Sequence, residues 1–259
     1  IDFDKNNLKR RIASLADFSI TDDEIKKRYE LEDSPYWNTK RERKKIDIKL
    51  ADKHLQPITY RPFDERWIWY QVDLIQIGRG GASPNLFRHV LNKKNITLLA
   101  SRNSQNPDFS SVFCTRFLSE MKTADSTRAS YCFPLYVYSS SDELSLFPSS
   151  EVNFSANFMR RLQEALGLNS EKDLAEILSP ENIFHYMYAV FHSPTYRSRY
   201  AEFLKIDFPR LPLTSNVALF RQLCGLGKEL VSLHLLEAEG LKPKVKFSAV
   251  RGQSSIVSK

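Results

Sequence analysis

No run of 18 apolar residues occurs in this chain of 259, so nothing in it predicts a membrane span. No charged-then-apolar leader opens it, and the first residue is Ile1, as expected of a trimmed or partial chain. Cysteine is scarce: Cys114, Cys132 and Cys224 show no paired spacing, which argues against a disulfide framework and predicts free buried thiols in a reducing cytoplasm. Catalytic signatures are missing too. The Gly-rich stretch at 78–85, "GRGGASPN", has no Lys-Ser/Thr pair of a nucleotide P-loop. It also lacks the preceding strand and later acid of a dinucleotide site. His185 and His192 share a helix face without a Cys or carboxylate at ligand spacing, the pattern of packing histidines. Glu24-Ile25-Lys26 and Glu42-Arg43-Lys44 match the Glu-x-Lys triplet of one nuclease type, yet both sit in charged, helix-like settings that solvated helix faces explain. No Asn/Asp-Pro-Pro-aromatic loop of an amino-methyltransferase is found. The expectation is a non-catalytic binder, with no metal and no cofactor of its own.

What is present is globular. Hydrophobic residues make up 42% and charged residues 27%, enough for a core and against disorder. Net charge is +7, a lean toward a polyanion. The charge is unevenly placed. Residues 38–66 carry nine Lys/Arg against five acids, and 76–128 carry eight against three, whereas 139–182 reverse to three against eight. A solvated surface shows such asymmetry by chance as well.

The chain reads as α+β. Residues 1–36 form a polar helical lead-in, with Thr21 as cap of "DDEIKKRYE", acids first and bases last as the helix dipole prefers. Residues 57–138 are β-rich, with short aromatic and β-branched runs between turn formers. One helix interrupts them, opened by Ser83 as N-cap and Pro84, with Leu86, Phe87, Val90 and Leu91 as its stripe. The Ser-rich stretch at 139–151 is the hinge candidate. It divides a recognition part with a mixed sheet, 1–140, from a helical docking part, 150–259. Everything beyond it reads as helix except "IDFPRLPL" at 206–213, which its prolines hold extended. Ser179-Pro180 and Ser193-Pro194 start two helices. A long last helix after Thr214 carries a 4-3-4-3 leucine stripe at 219, 223, 226, 230 and 233, able to pack on this core or on an absent partner.

One stretch raises a functional question. In "LLASRNSQNPDF", 98–109, a buried-looking strand gives way to Ser101, Arg102, Asn103, Ser104, Gln105 and Asn106. Arg forks onto the guanine edge, and Asn and Gln onto the adenine edge, so this loop has the chemistry to read bases. Arg79, Arg116, Lys122 and Arg128, with Lys40 and Arg43 of the basic run, are candidate phosphate contacts. Free amides around Gly78 add a possible phosphate cradle. Arg197 and Arg199 are weaker candidates, with salt bridges to the acidic segment as the alternative. The competing reading is plain turn chemistry, since Asn, Ser and Pro are turn formers.

Two segments carry a resemblance. "YRPFDERWIWY" at 60–70 and "IFHYMYAVFHSPTYRSRYAEFLKIDFPRLPL" at 183–213, with "FPLYVY" at 133–138 between them, resemble the C-terminal specificity region of single-chain type I (type ISP) restriction–modification enzymes and related large adenine methyltransferases. The likeness spans roughly 55–240. It implies a target-recognition module cut from a polypeptide with nuclease, motor and adenine-N6 methyltransferase units. Its partners would be double-stranded DNA and the methyltransferase of the same polypeptide, in the cytoplasm. The flipped adenine and S-adenosylmethionine would belong to that methyltransferase. Base-reading residues vary in the family, so none carries over by motif. The chain ends at "RGQSSIVSK", without the family's Gly-Gly-Tyr and Lys-Trp-Leu stretch, as expected of a shortened module. The competing function is a protein-docking scaffold with only non-specific DNA affinity.

Overall fold

The computed structural model describes residues 1–75, 82–104, 111–139 and 149–241. The lead-in forms as its caps dictate. In α1 (Lys5–Ala16) the Asp4 carboxylate accepts from Asn7 N, and in α2 (Asp22–Tyr29) Thr21 and Glu24 form a reciprocal capping box. The short α3 (Thr39–Arg43) and α4 (Ala51–His54) lead into the hairpin of β1 (Leu55–Arg61) and β2 (Asp64–Trp69). Leu8, Ile12, Leu55 and Trp69 bury together and fix α1 on this hairpin.

Beyond the hairpin come α5 (Pro84–Phe87), β3 (Thr97–Ser101), β4 (Val112–Thr115), β5 (Leu118–Ser119), β6 (Ser130–Pro134) and β7 (Tyr136–Tyr138). Two three-stranded sheets result. One, in the order β2-β1-β5, is mixed because β5 runs parallel to β1; the other, β4-β3-β6, is antiparallel. The helix expected from Ser83 is a single turn. Ser83 takes a left-handed φ of 43° and its side chain does not cap α5, so the turn lacks the N-cap bond expected of it.

The later segment is helical with one exception. β8 (Ser150–Val152) pairs with β7; its polar, exposed "SEV" carries no strand pattern, and only the distant partner makes it a strand. Then follow α6 (Ala156–Leu166), α7 (Glu171–Ile177), α8 (Pro180–His192), α9 (Pro194–Arg199), α10 (Ala201–Leu204) and α11 (Val217–His234). Ser179 and Ser193 cap α8 and α9 through Asn182 N and Tyr196 N, as the Ser-Pro pairs predict. The strap at 206–213 is held by Tyr186 Oη donating to Pro212 O and Tyr196 Oη donating to Arg210 O.

The largest core joins strands to helices. Leu98, Ala100, Val112 and Cys114 of β3 and β4 pack with Phe184, Tyr188, Phe220 and Val231. The proposed division near 140–150 therefore runs across a shared core. At its centre α8 and α11 touch backbone to side: a Cβ on Gly227 would lie 1.9 Å from His185 O. That close approach decides how α11 turns. It buries Phe220, Cys224, Gly227 and Val231 and only half-buries Leu223 and Leu230. Leu219, Leu226 (60% exposed) and Leu233 face outward, so the core takes just part of the leucine stripe. Among the described residues no helix is long and apolar enough to cross a membrane.

Candidate nucleic-acid interface

Strand direction builds the site. β3 is antiparallel to both neighbours, with Ala100 opposite Val112 and Ser101 opposite Ser130. The end of β3 and the starts of β4 and β6 thus share one edge, where the backbone leaves as 102–104 and arrives through 120–129. Polar side chains tie these segments together. Asp125, buried, lies 2.7 Å from Ser111 Oγ and 3.2 Å from Ser104 Oγ through Oδ2, and the two hydroxyls are 2.9 Å apart. Its Oδ1 accepts from Thr127 N, Thr127 Oγ1 and Arg128 N. Burial alone would raise the Asp125 pKa, but the hydrogen bonds from Ser111, Thr127 and Ser104 outweigh it and hold the group below its ordinary value. The helical part braces the same edge: Ser104 N donates to Leu204 O. The hairpin is tied in by Arg61, which pairs with Glu120, and by Thr123 Oγ1, which donates to Thr59 O.

The residues expected to read DNA fall into different settings. Arg102 projects from the shared edge with its side chain 65% exposed, and its ion pair among the described residues, to Asp207 at 3.3 Å, is long and exposed, the kind worth ~0–1 kcal/mol. Asn103 beside it is half-buried. Lys122 is exposed on the 120–129 segment and Arg128 is half-buried there, its Nε buried without a hydrogen-bond partner among the described residues. Gln105, Asn106 and Arg79 lie outside the described residues.

Four expectations need correction. Ser101 is fully buried in β3, and Ser104 is buried in the Asp125 knot, so both hydroxyls are structural and neither faces a base. Arg116 lies at the opposite end of the sheet, after Thr115, which stands across from Thr97. It is held by Glu237 through Nε and Nη2 and does not join Arg102. Arg43 is 2% exposed. Its guanidinium donates to the carbonyls of Leu15, Asp17 and Ile20 and pairs with Asp22, and its burial keeps it from a phosphate. Lys40, one helix turn away, does remain exposed.

Near Arg116 a cleft of about 450 Å³ is lined by Lys93, Lys94, Asn92 and Gln56, a concave basic place. Arg197 is half-buried and its Nε donates to Phe191 O, a packing role. Another cavity, about 460 Å³, lies between β3, β6, α8 and the strap, with Leu98, Phe133, Phe158, Phe184 and Phe208 in its wall. Its lining is apolar and aromatic apart from Asn153 and Ser155. Sequence reasoning missed Asp125 and Ser111. The available signal was that Asp125 is one of three acids in a basic stretch of 53 residues, 76–128.

Two solved structures share the fold. "DrdV-DNA complex", from cryo-electron microscopy, matches with a TM-score of 0.60 at 22% identity over 89% of this chain and 21% of that one. "ATP-dependent Type ISP restriction-modification enzyme LlaBIII bound to DNA" matches with a TM-score of 0.57 at 19% identity over 92% of this chain and 15% of that one. This chain thus spans about a fifth or less of those chains. Among curated proteins none matches. The family model for the Type ISP C-terminal specificity domain matches residues 1–258, so the chain belongs to that family.

Proposed function

We propose that this chain is the sequence-reading module of a restriction–modification enzyme, and that it reads double-stranded DNA with the edge formed by 101–104 and 120–128. The family assignment over residues 1–258 carries this reading, and two fold neighbours whose structures were determined with DNA support it. The edge has the right parts. Arg102 and Asn103 offer forked donors for base edges, and Lys122 and Arg128 offer charge for phosphates. The chain itself performs no chemistry. A companion methyltransferase unit of the same polypeptide takes the target adenine, N6-methylates it and holds S-adenosylmethionine, in the cytoplasm.

The test is discrimination. A duplex selected by the natural protein from a randomised pool is compared with its scrambled version at fixed salt. The expected result is about 10³-fold or more tighter binding of the selected duplex, typical of specific recognition. Equal binding of the two would leave a docking scaffold with non-specific affinity.

A further inference from the structure

The described residues on either side of positions 105–110 end in the same carboxylate. Ser104 precedes that segment and Ser111 follows it, and both hydroxyls converge on Asp125 Oδ2. The other oxygen of the same group holds the turn that carries Thr127 and Arg128. Two further ties fix the frame: Ser101 N donates to Ser111 O at 3.1 Å, and Ser104 N donates to Leu204 O at 3.3 Å. A buried carboxylate with this many donors is rigid, because leaving it costs each donor its partner. A base contact must be placed within a few tenths of an ångström to be worth its full discrimination, whereas a phosphate contact tolerates drift.

We infer that Asp125 is a positioning residue for sequence discrimination: it locks residues 101–104 and the Lys122–Arg128 turn into one register, so that bases and phosphates are met together. This rests on the proposed reading of that edge. Asp125 itself touches no nucleotide.

The variants are Asp125→Ala and, because the first removes a buried group, Ser104→Ala/Ser111→Ala, which keeps the carboxylate and its turn. Each is made in the natural protein. Binding is measured on the selected duplex and on its scrambled version, with amide hydrogen exchange at Ser101 and Ser104 read in parallel. The expected result is a fall of about tenfold or more in the ratio of the two affinities for both variants, with scrambled-duplex binding within about threefold of the parent. The triple variant should add little to either, since the groups act as one unit. Exchange at Ser101 and Ser104 should quicken in both variants. An unchanged ratio, or equal losses on both duplexes, overturns the inference. If the parent itself fails to discriminate, the functional reading falls. The exchange data then still decide the coupling, and unchanged exchange at Ser101 and Ser104 overturns it.

Discussion

The ring of Phe63 meets His234 edge-on, with 5.4 Å between centroids and an interplanar angle of 89°, and meets Phe113 at 5.3 Å in the same manner. Phe63 tops the β1–β2 hairpin with a left-handed φ of 62°, while His234 ends α11. The "RPFD" signature is thus a clasp: its Phe reaches the far end of the helical part, its Arg61 pairs with Glu120, and its Asp64 pairs with Arg66. Phe63→Ala should lower unfolding free energy by about 1–2 kcal/mol, because the ring contacts go while the strained φ stays. Phe63→Gly loses the same ring but relieves that strain, so it should come out about 1 kcal/mol more stable than the Ala variant. Urea unfolding of both variants and the parent measures the two effects: a Phe63→Ala variant as stable as the parent contradicts the clasp, and an Ala variant equal to or better than Gly contradicts the left-handed backbone.

The two glycines of α11 should respond in opposite directions. Gly227→Ala drives a Cβ into His185 O and should destabilise by about 3 kcal/mol or more, as overpacking against backbone does. Gly225 has nothing within 4 Å of its would-be Cβ, so Gly225→Ala should stabilise by about 0.5–1 kcal/mol through helix propensity. Thermal unfolding of both variants checks the orientation of α11, and similar shifts for the two would mean the helix is turned otherwise.

Acid should weaken the fold through His192. Burial is the main cause that lowers its pKa from 6.5 to about 4; the nearby Arg197 and His234 lower it further, against the pull of Tyr188 O. Between pH 6.5 and about 4 the unfolded chain binds a proton that the folded one refuses. Stability therefore rises with pH across that window and is lost on acidification, by about 3 kcal/mol for the full shift. Below about 4 both states are protonated and the loss stops growing. His192→Gln should flatten the slope of unfolding free energy against pH in that window; an unchanged slope assigns the acid sensitivity to other groups.

Arg43 and Lys40 separate charge from structure. Arg43→Ala should cost about 3 kcal/mol, since it removes a buried donor from three carbonyls and Asp22, yet should leave the salt dependence of DNA binding unchanged in the folded fraction. Lys40→Ala should barely alter stability. If Lys40 meets a phosphate, its loss reduces the slope of log K against log salt by about 0.9. Calorimetry and a salt titration distinguish the two roles.

Local chemistry was legible in the sequence. Thr21, Ser179 and Ser193 announce helix starts because a cap needs only its own next turn. What depends on distant partners was not. The face that α11 buries is fixed by the His185 carbonyl lying against Gly227, and periodicity alone assigns that face to the leucines. The burial of Arg43 depends on carbonyls some 20 residues upstream, and a basic run gives no sign of them. Within the candidate site, Arg102 was visible as a forked side chain after a strand, while Asp125 was hidden because its role exists only once Ser104 and Ser111 converge on it.

The central claim is that the edge at 101–104 reads bases. The most direct measurement is the affinity of Arg102→Ala for a selected duplex and for its scrambled version. Arg102 is exposed, and among the described residues its ion pair is the long one to Asp207, so its loss should leave the fold intact. The account predicts that the selected duplex loses about 1–3 kcal/mol while the scrambled one loses far less. Equal losses on the two duplexes, or none on either, would contradict it.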